Sequence, residues 1–486
     1  MGAGVAGLAA SIRLAALGYK VLLLEKNGFC GGKLSEIRLG AYRFDAGPSL
    51  FTMPHLVEEL YWICGRKADG FSYRQLGEVC RYFFTNGPRF TLPAEEEKRI
   101  RIIQDALGEK PEELRRYMAL SRFRYETIGR LFLERCLRKP GTFFNRLALK
   151  AYLNLHRLGL FSSLSSWNRH SFRNPLTQQL FNRYATYNGS DPYQTPAVMS
   201  MIPHLEFGIG AFFPGGGMVR ITESLEQLAR EMGVEIRNHA AASRLQAAGS
   251  KVEGVFCGEE FIPCDLMISA LDVSLTYTLL PGKNAAAARY ARLPKSTSAI
   301  IWYWGIRRSC PETGLHNLFF SEDYRAEFRA LFQEKTMPAN PSIYLNISSK
   351  ENPADAPEGG ENWFVMVNAP ANAGQDWDLL IAQSRRTVTE RLSKELNFNV
   401  ESCIEVETCL DPRSLESRTG GVGGALYGSN SNHPFAAFLR HPNFSSAYKN
   451  LFFCGGTVHP GGGIPLALQS ARLAVQYAEE KMGRPQ

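Results

Sequence analysis

The sequence predicts an α/β protein: a doubly wound, Rossmann-type domain in several pieces, with an α+β domain inserted between them. Three observations carry this. Gly2-Ala3-Gly4-Val5-Ala6-Gly7 opens a helix-forming stretch that leads to the apolar run Val21-Leu22-Leu23-Leu24 and then Glu25. Pro214-Gly215-Gly216-Gly217-Met218 opens a second amphipathic stretch. Leu451-Phe452-Phe453-Cys454 runs into five glycines within 455–463, and a third helical stretch follows.

Each element follows from its residues. Ala9 to Leu17 has helix-forming composition, Gly18-Tyr19 is a turn, and Val21–Leu24 is a buried strand ending at Glu25. A G-x-G-x-x-G loop at a helix N-terminus lets backbone N–H groups approach a pyrophosphate, and an acid about 20 residues on accepts hydrogen bonds from a ribose diol. Glu25 therefore argues against a 2′-phosphate and against NADP. Gly31-Gly32-Lys33 and Phe44-Asp45-Ala46-Gly47-Pro48-Ser49 come next. A nicotinamide enzyme has no use for this second glycine pair, whereas the longer FAD needs another close approach along its diphosphate and ribityl chain. Lys33 is placed to offset pyrophosphate charge.

Further on, Val219 to Met232 reads as an amphipathic helix and Val234–Arg237 as a strand. A hairpin is expected around Gly258, with a returning strand at Leu266–Ala270. At the far end Leu451–Cys454 is a strand and Leu466 to Met482 a helix, so the glycines again put N–H groups at a helix N-terminus. FAD is the expected cofactor. Its expected contacts are Gly2, Gly4, Gly7, Glu25, Lys26, Gly31, Gly32, Lys33, Gly47, Pro48 and Ser49, with Gly455, Gly456, Gly463, Ile464 and Pro465. The FAD domain is expected at 1–75, 214–280 and 425–486, and the substrate domain at 76–213 and 281–424. A Rossmann unit also needs a strand ahead of its glycine loop, central in the sheet. Here the sequence starts inside the loop, so the expectation is an apolar strand preceding Met1, and weak cofactor retention in a chain that begins there.

Composition narrows the class. Hydrophobic residues make up 44% of the 486 and charged residues 21%, which excludes a disordered, collagen-like or coiled-coil chain. The ten cysteines include no C-x-x-C pair and no zinc spacing, so the expectation is no metal and reduced thiols in a cytoplasmic protein. No run of about 18 apolar residues is present to span a bilayer, and no secretory signal is recognisable. There is no H-E-x-x-H, no G-x-S-x-G and no complete phosphate loop.

In combination these motifs identify a resemblance. Gly2–Gly7, Glu25, Gly31-Gly32, Phe44–Pro48, Pro214–Met218 and Gly455–Pro465 resemble, end to end, the bacterial carotenoid desaturases of the phytoene-desaturase type, within the FAD-dependent amine-oxidase-like superfamily. Ser49–Pro54, Ala185–Ser190, Glu361–Met366 and Phe438–Pro442 look closest to the 1-hydroxycarotenoid 3,4-desaturases, also called hydroxyneurosporene desaturases. Phytoene desaturase is the near alternative. An amine or porphyrinogen oxidase on the same scaffold, or a non-enzymatic lipid-binding protein, is more distant. The sequence departs from the family at the first strand and at Lys33, where Arg is usual; lysine keeps the charge and loses the bidentate fork.

The resemblance implies FAD-dependent oxidation of an unactivated allylic C–C bond. With no carbonyl beside that bond, hydride transfer to the flavin opens the reaction, and proton loss from the neighbouring carbon follows. The polar candidates are His204 and Glu206, either of which could accept that proton or bind a substrate hydroxyl. For His204 a buried ring bonded to backbone is the commoner alternative, and His459 beside Pro460 reads as structural. Trp302, Tyr303 and Trp304 are candidates to line a tunnel, at most two of them together because strand residues alternate faces.

The net charge of +8, from 55 Lys and Arg against 47 Asp and Glu, is local. Residues 130–173 hold nine basic side chains and one acid, Glu134, so the remainder is neutral. Asn145 to Phe161 reads as one helix broken only by Gly159, with Arg146, Lys150 and Arg157 as a basic stripe on an otherwise apolar surface. No recognition-helix pattern accompanies it, which argues against nucleic acid. A carotene is insoluble in water and has to be collected from a bilayer, so 130–173 is the expected contact of a peripherally membrane-associated protein.

Overall fold

The computed structural model describes residues 1–135, 138–282, 285–436 and 440–484. Cys136, and Phe438-Leu439 of the Phe438–Pro442 stretch, lie outside the described residues; the other nine cysteines are free thiols.

Helices Val5–Ala16, Val219–Glu231 and Ile464–Met482 pack around two short parallel strand pairs. Leu22–Leu24 pairs with Glu235–Arg237, and Met267–Ser269 with Leu451–Phe453. Met1 and Gly2 bond to both pairs. The Met1 amino group donates to Ile268 O at 2.9 Å, Ala270 N donates to Met1 O at 2.9 Å, and Gly2 N donates to Leu24 O at 2.8 Å. Burial holds the pKa of that amino group below its ordinary value. The first helix starts at Val5, earlier than composition alone suggests, because extended Gly4 serves as its N-cap. The last starts at Ile464, with Pro465 in its first turn, where a missing N–H costs nothing.

The other large unit is a seven-stranded mixed sheet. Its spatial order is Ile404–Leu410, Ser298–Ile306, Glu361–Ala369, Ile343–Ile347, His316–Phe320, Glu78–Phe84, Arg89–Pro93. Only the junction of His316–Phe320 with Glu78–Phe84 is parallel. Every one of these strands falls within 76–213 or 281–424, and both parallel pairs fall outside those ranges. The antiparallel pair Tyr73–Gln75 with Phe212–Pro214 joins the two units.

Strand alternation gives the large sheet two different faces. Ile300, Trp302, Trp304, Ile343, Trp363, Val365 and Val367 pack against helix Trp377–Leu396. Ile301, His316, Leu318, Tyr344, Phe364 and Met366 face the other way, into a cavity. This corrects the tunnel expectation for the aromatic triplet. Trp302 and Trp304 are core on the far face, and Tyr303, on the near face, is covered by Phe44 and donates its hydroxyl to Ala46 O.

The basic segment also differs from its expected form. In place of one helix from Asn145 to Phe161 there are two, Arg146–Leu153 and Leu155–Leu158, with the break at Asn154. The Asn154 side chain donates to Lys150 O at 2.9 Å, taking the carbonyl that a continuing helix would bond to the Asn154 backbone N–H. Asn145 caps the first helix, accepting from Leu147 N and Ala148 N, and left-handed Gly159 ends the second. Lys150 and Arg157 converge over the Phe123 ring, at 5.6 and 4.3 Å, and Arg146 stands apart and exposed.

Candidate functional site

One cavity of about 780 Å³ runs from the glycine loops to the large sheet. Gly2, Gly4, Glu25, Lys26, Gly31, Gly32 and Lys33 line one end, and Gly47, Pro48 and Ser49 continue the wall. Gly455, Gly456, Gly463, Ile464 and Pro465 face them. Gly7 alone of the expected contacts lies off the lining. A Cβ there would sit 1.8 Å from Gly2 O, so its glycine serves the close packing of helix on loop. Gly463, with φ of +111°, is the N-cap of the last helix and has open space where a Cβ would be, so a side chain would enter the cavity.

The carboxylate of Glu25 is held at the loop. One oxygen accepts from Ala3 N at 2.8 Å, and the other from Asn27 N and Asn27 Nδ2 at 2.9 and 2.7 Å. A carboxylate accepts about four hydrogen bonds, which leaves one position for a ligand diol. Lys33 is half-buried on the wall, with Nζ donating to Ala425 O at 3.0 Å and Leu426 O at 2.7 Å; burial brings its pKa down to about 8. Lys26 is more exposed and donates to Ser417 O.

Arg440 is a residue sequence reasoning missed. It is 4% exposed and donates to the carbonyls of Tyr427, Gly456 and Ser429, and burial lowers its pKa to about 10. Neither Lys33 nor Arg440 has a carboxylate ion-pair partner among the described residues. Lys33 and Arg440 donate only to carbonyls, with the Asp272 carboxylate acting on Lys33 from nearby, and together with the helix N-termini behind the glycines they make this end of the cavity electropositive. That donor set fits the diphosphate of FAD and a flavin that gains negative charge on reduction.

The Phe44–Ser49 and Pro214–Met218 stretches meet each other. Asp45 accepts from Met218 N at 2.8 Å and Val219 N at 3.0 Å, capping the helix that follows the glycine turn. Arg43 donates to Asp45 at 2.7 Å and to Asp355 at 3.1 Å, both pairs buried. The Pro214–Met218 turn is thus tied through Asp45 and Arg43 to Asp355, away from the cavity lining.

Toward the large sheet the walls become apolar: Ile128, Phe132, Leu160, Met199, Ile202, Leu205, Leu318, Phe364 and Met366. Glu206 is on this wall, and its carboxylate is committed to a buried ion pair and two tyrosine hydroxyls. It accepts from Arg183 Nη2 at 2.6 Å, from the Tyr184 hydroxyl at 3.0 Å and from the Tyr187 hydroxyl. His204, two residues away, is off the lining. Its ring packs on Tyr125 at 5.4 Å, and burial with nearby Arg122 lowers its pKa. His459 also lies off the wall, its ring bonded to Arg135 O at 2.8 Å. Among the described residues the carboxylates of the cavity lining are Glu206, Glu25 and Asp272.

Comparison with known proteins gives this geometry its family. A phytoene desaturase from Fusarium fujikuroi is 28% identical over 521 residues, covering 99% of this chain and 89% of that one. A 1-hydroxycarotenoid 3,4-desaturase from Flavobacterium sp. (strain P99-3) is 45% identical over 473 residues, 97% of each chain. Among solved structures, cyclohexylamine oxidase from Brevibacterium oxydans IH-35A superimposes with a TM-score of 0.62 at 15% identity, covering 99% of this chain and 98% of that one. A likeness at that identity speaks for the fold alone. The model of the flavin-containing amine oxidoreductases matches residues 5–478. The chain belongs to this family of flavin-containing amine oxidoreductases, with FAD as its cofactor.

Proposed function

We propose that the protein is an FAD-dependent carotenoid desaturase that introduces a 3,4 double bond into a 1-hydroxycarotenoid. The observation that carries the reading is the single cavity with two chemistries: an electropositive, glycine-lined end opening into long apolar walls. Likeness to the Flavobacterium desaturase over 97% of the chain supports the same substrate class. In this reading Glu25 holds the ribose diol, and the N–H groups of the Gly2–Gly4 loop the pyrophosphate. Lys33, Arg440 and the Gly455–Pro465 turn hold the far end of the cofactor.

Removal of a hydride from an unactivated allylic carbon is the chemistry that bound FAD supplies. The chain contributes position and dryness. Its apolar walls exclude water from a cation that the polyene delocalises, and fix the reacting carbons at the glycine-lined end. Loss of the neighbouring proton from such a cation needs no strong base, in keeping with the largely apolar walls near the large sheet.

The test is spectroscopic. FAD-loaded protein mixed anaerobically with a 1-hydroxylated carotene is expected to lose its oxidised-flavin absorbance. Bleaching by a primary amine, with carotenes inert, would overturn the reading in favour of an amine oxidase.

We also infer that residues 144–161 touch a membrane and form the substrate's entrance. Phe144 and Phe161 are 85% and 84% exposed, and Leu149, Tyr152, Leu153 and Leu155 are exposed beside them. Phe143 and Leu160, their immediate chain neighbours, line the cavity. Exposed Arg146, Lys150 and Arg157 surround this apolar rim and suit an anionic lipid surface. Among the described residues no helix is long and apolar enough to cross a membrane.

A further inference from the structure

The cavity wall built by the large sheet is apolar except at Asn368 and around one histidine. His316 pairs across the strands with Asn346, and Leu318 with Tyr344, so His316 and Tyr344 share the cavity face. The Asn346 amide donates to Leu315 O at 3.0 Å, which fixes its orientation because a carbonyl only accepts. Its second N–H reaches His316 Nδ1 at 3.2 Å, and the Tyr344 hydroxyl lies 2.7 Å from the same nitrogen. Nδ1 is therefore an acceptor. Burial depresses the ring's pKa to about 3, so it is neutral and its one proton is on Nε2. His316 is 4% exposed, and Nε2 has no hydrogen-bond partner among the described residues. Buried N–H groups without an acceptor also occur in the packed core, at Trp302 and Trp304, but His316 lines the cavity, where a bound molecule can supply the acceptor.

We propose that His316 is the specificity-determining anchor for the substrate's hydroxyl group, its Nε2–H donating to the oxygen on C1 of the carotenoid. This rests on the desaturase reading above. The oxygen on C1 lies three bonds from C3 and four from C4, so by ordinary bond lengths it is within roughly 4–5 Å of the reacting pair. A hydrogen bond to it sets which C–C bond stands at the redox centre. The position agrees with this. Tyr344 also bonds Ser49 Oγ at 2.7 Å, so a chain of hydrogen bonds runs from the anchor to the Gly47-Pro48-Ser49 wall proposed to meet FAD. A carotene without the hydroxyl leaves Nε2–H unpaired and has no fixed register. Discrimination built on a buried donor of this kind is much stronger than discrimination by shape alone.

The experiment compares FAD-loaded wild type, His316→Phe, His316→Gln and His316→Asn on a 1-hydroxylated carotene and the same carotene lacking the hydroxyl. Both kcat/KM and the binding constant for the desaturated product are measured, the latter by the shift in carotenoid absorption. Wild type should favour the hydroxylated compound. His316→Phe should lower its kcat/KM and product affinity on the order of ten- to hundredfold while leaving the other carotene within about twofold. His316→Gln, whose amide reaches the Nε2 position, should restore most of the discrimination. Undiminished discrimination in His316→Phe, or a wild type indifferent to the hydroxyl, would overturn the anchor while leaving the desaturase reading standing. If His316→Phe fails to hold FAD, His316→Asn decides, because its shorter amide cannot reach and full discrimination in it also overturns the proposal. Inertness toward every carotene defeats the desaturase reading and the anchor with it.

Discussion

Glu206 and Arg183 are 2% and 8% exposed, and each is the other's charge partner at 2.6 Å. A proton acceptor has to be free to change charge, whereas this carboxylate holds a guanidinium inside the protein. Glu206→Gln is expected to lower the stability of the FAD-loaded protein by about 3–5 kcal/mol, because it strands a buried cation; a denaturation midpoint equal to wild type would show the pair to be dispensable. Lys33 makes the opposite case. Its charge was readable in the sequence, but the two carbonyls it serves are 392 and 393 residues away. Lys33→Met should loosen FAD by about ten- to a hundredfold, the worth of roughly 1.5–3 kcal/mol for hydrogen bonds to a charged group. Flavin released on dialysis, read by fluorescence, measures it, and retention equal to wild type would remove Lys33 from the cofactor site. His316 carried no local signal at all: its neighbours in sequence are those of an ordinary strand, and only strand register brings Asn346 and Tyr344 to it.

Among elements, those with a short-range cause were legible and those with a long-range cause were not. The glycine loops, Glu25 and the helices behind them follow from local backbone needs, and fifteen of the sixteen expected cofactor residues line one cavity. The faces of Ser298–Ile306 could not be read, since all nine of its residues are buried and alternation vanishes. Only the partner layers, helix Trp377–Leu396 on one side and the cavity on the other, decide which tryptophan goes where. The broken helix at 145–158 has a local cause too subtle to weigh in advance, a single Asn competing for a carbonyl. Phe144, Leu149 and Leu153, ahead of that break, stand outward as a rim. Changing both Phe144 and Phe161 to Ser removes two rings worth roughly 1.5–3 kcal/mol each on burial, so binding to anionic vesicles in flotation should fall at least about tenfold. Flotation undiminished by the double change would place the membrane contact elsewhere.

Across the whole molecule, burial keeps three histidines neutral. The pKa of His316 is pushed to about 3, and those of His441 and His459 to about 4, from an ordinary 6.5. The unfolded chain takes up these protons as pH falls below 6.5, and the folded chain refuses them until about pH 4 or lower. Their contribution to stability is complete above pH 6.5 and is lost on acidification, by up to roughly 1.4 kcal/mol per pH unit for each ring. Buried carboxyls such as Glu327, raised by desolvation, offset part of that loss. His459→Asn, which cannot ionise, should therefore flatten the stability profile between pH 6.5 and 4 by about one proton, and an unaltered slope in urea titrations across that range would refute it. The pairing of Met267–Ser269 with Leu451–Phe453, and the wall that Gly2 shares with Gly455, carry a consequence for biosynthesis. The cofactor's cradle joins residues between Gly2 and Ser49 to residues between Gly455 and Pro465, so no nascent chain that ends between them contains it. Flavin can enter only once the Gly455–Pro465 turn has been made. A nascent chain stalled before residue 451 is expected to bind none, and in a flavin-starved cell full-length molecules would await their cofactor with the cradle open to proteases.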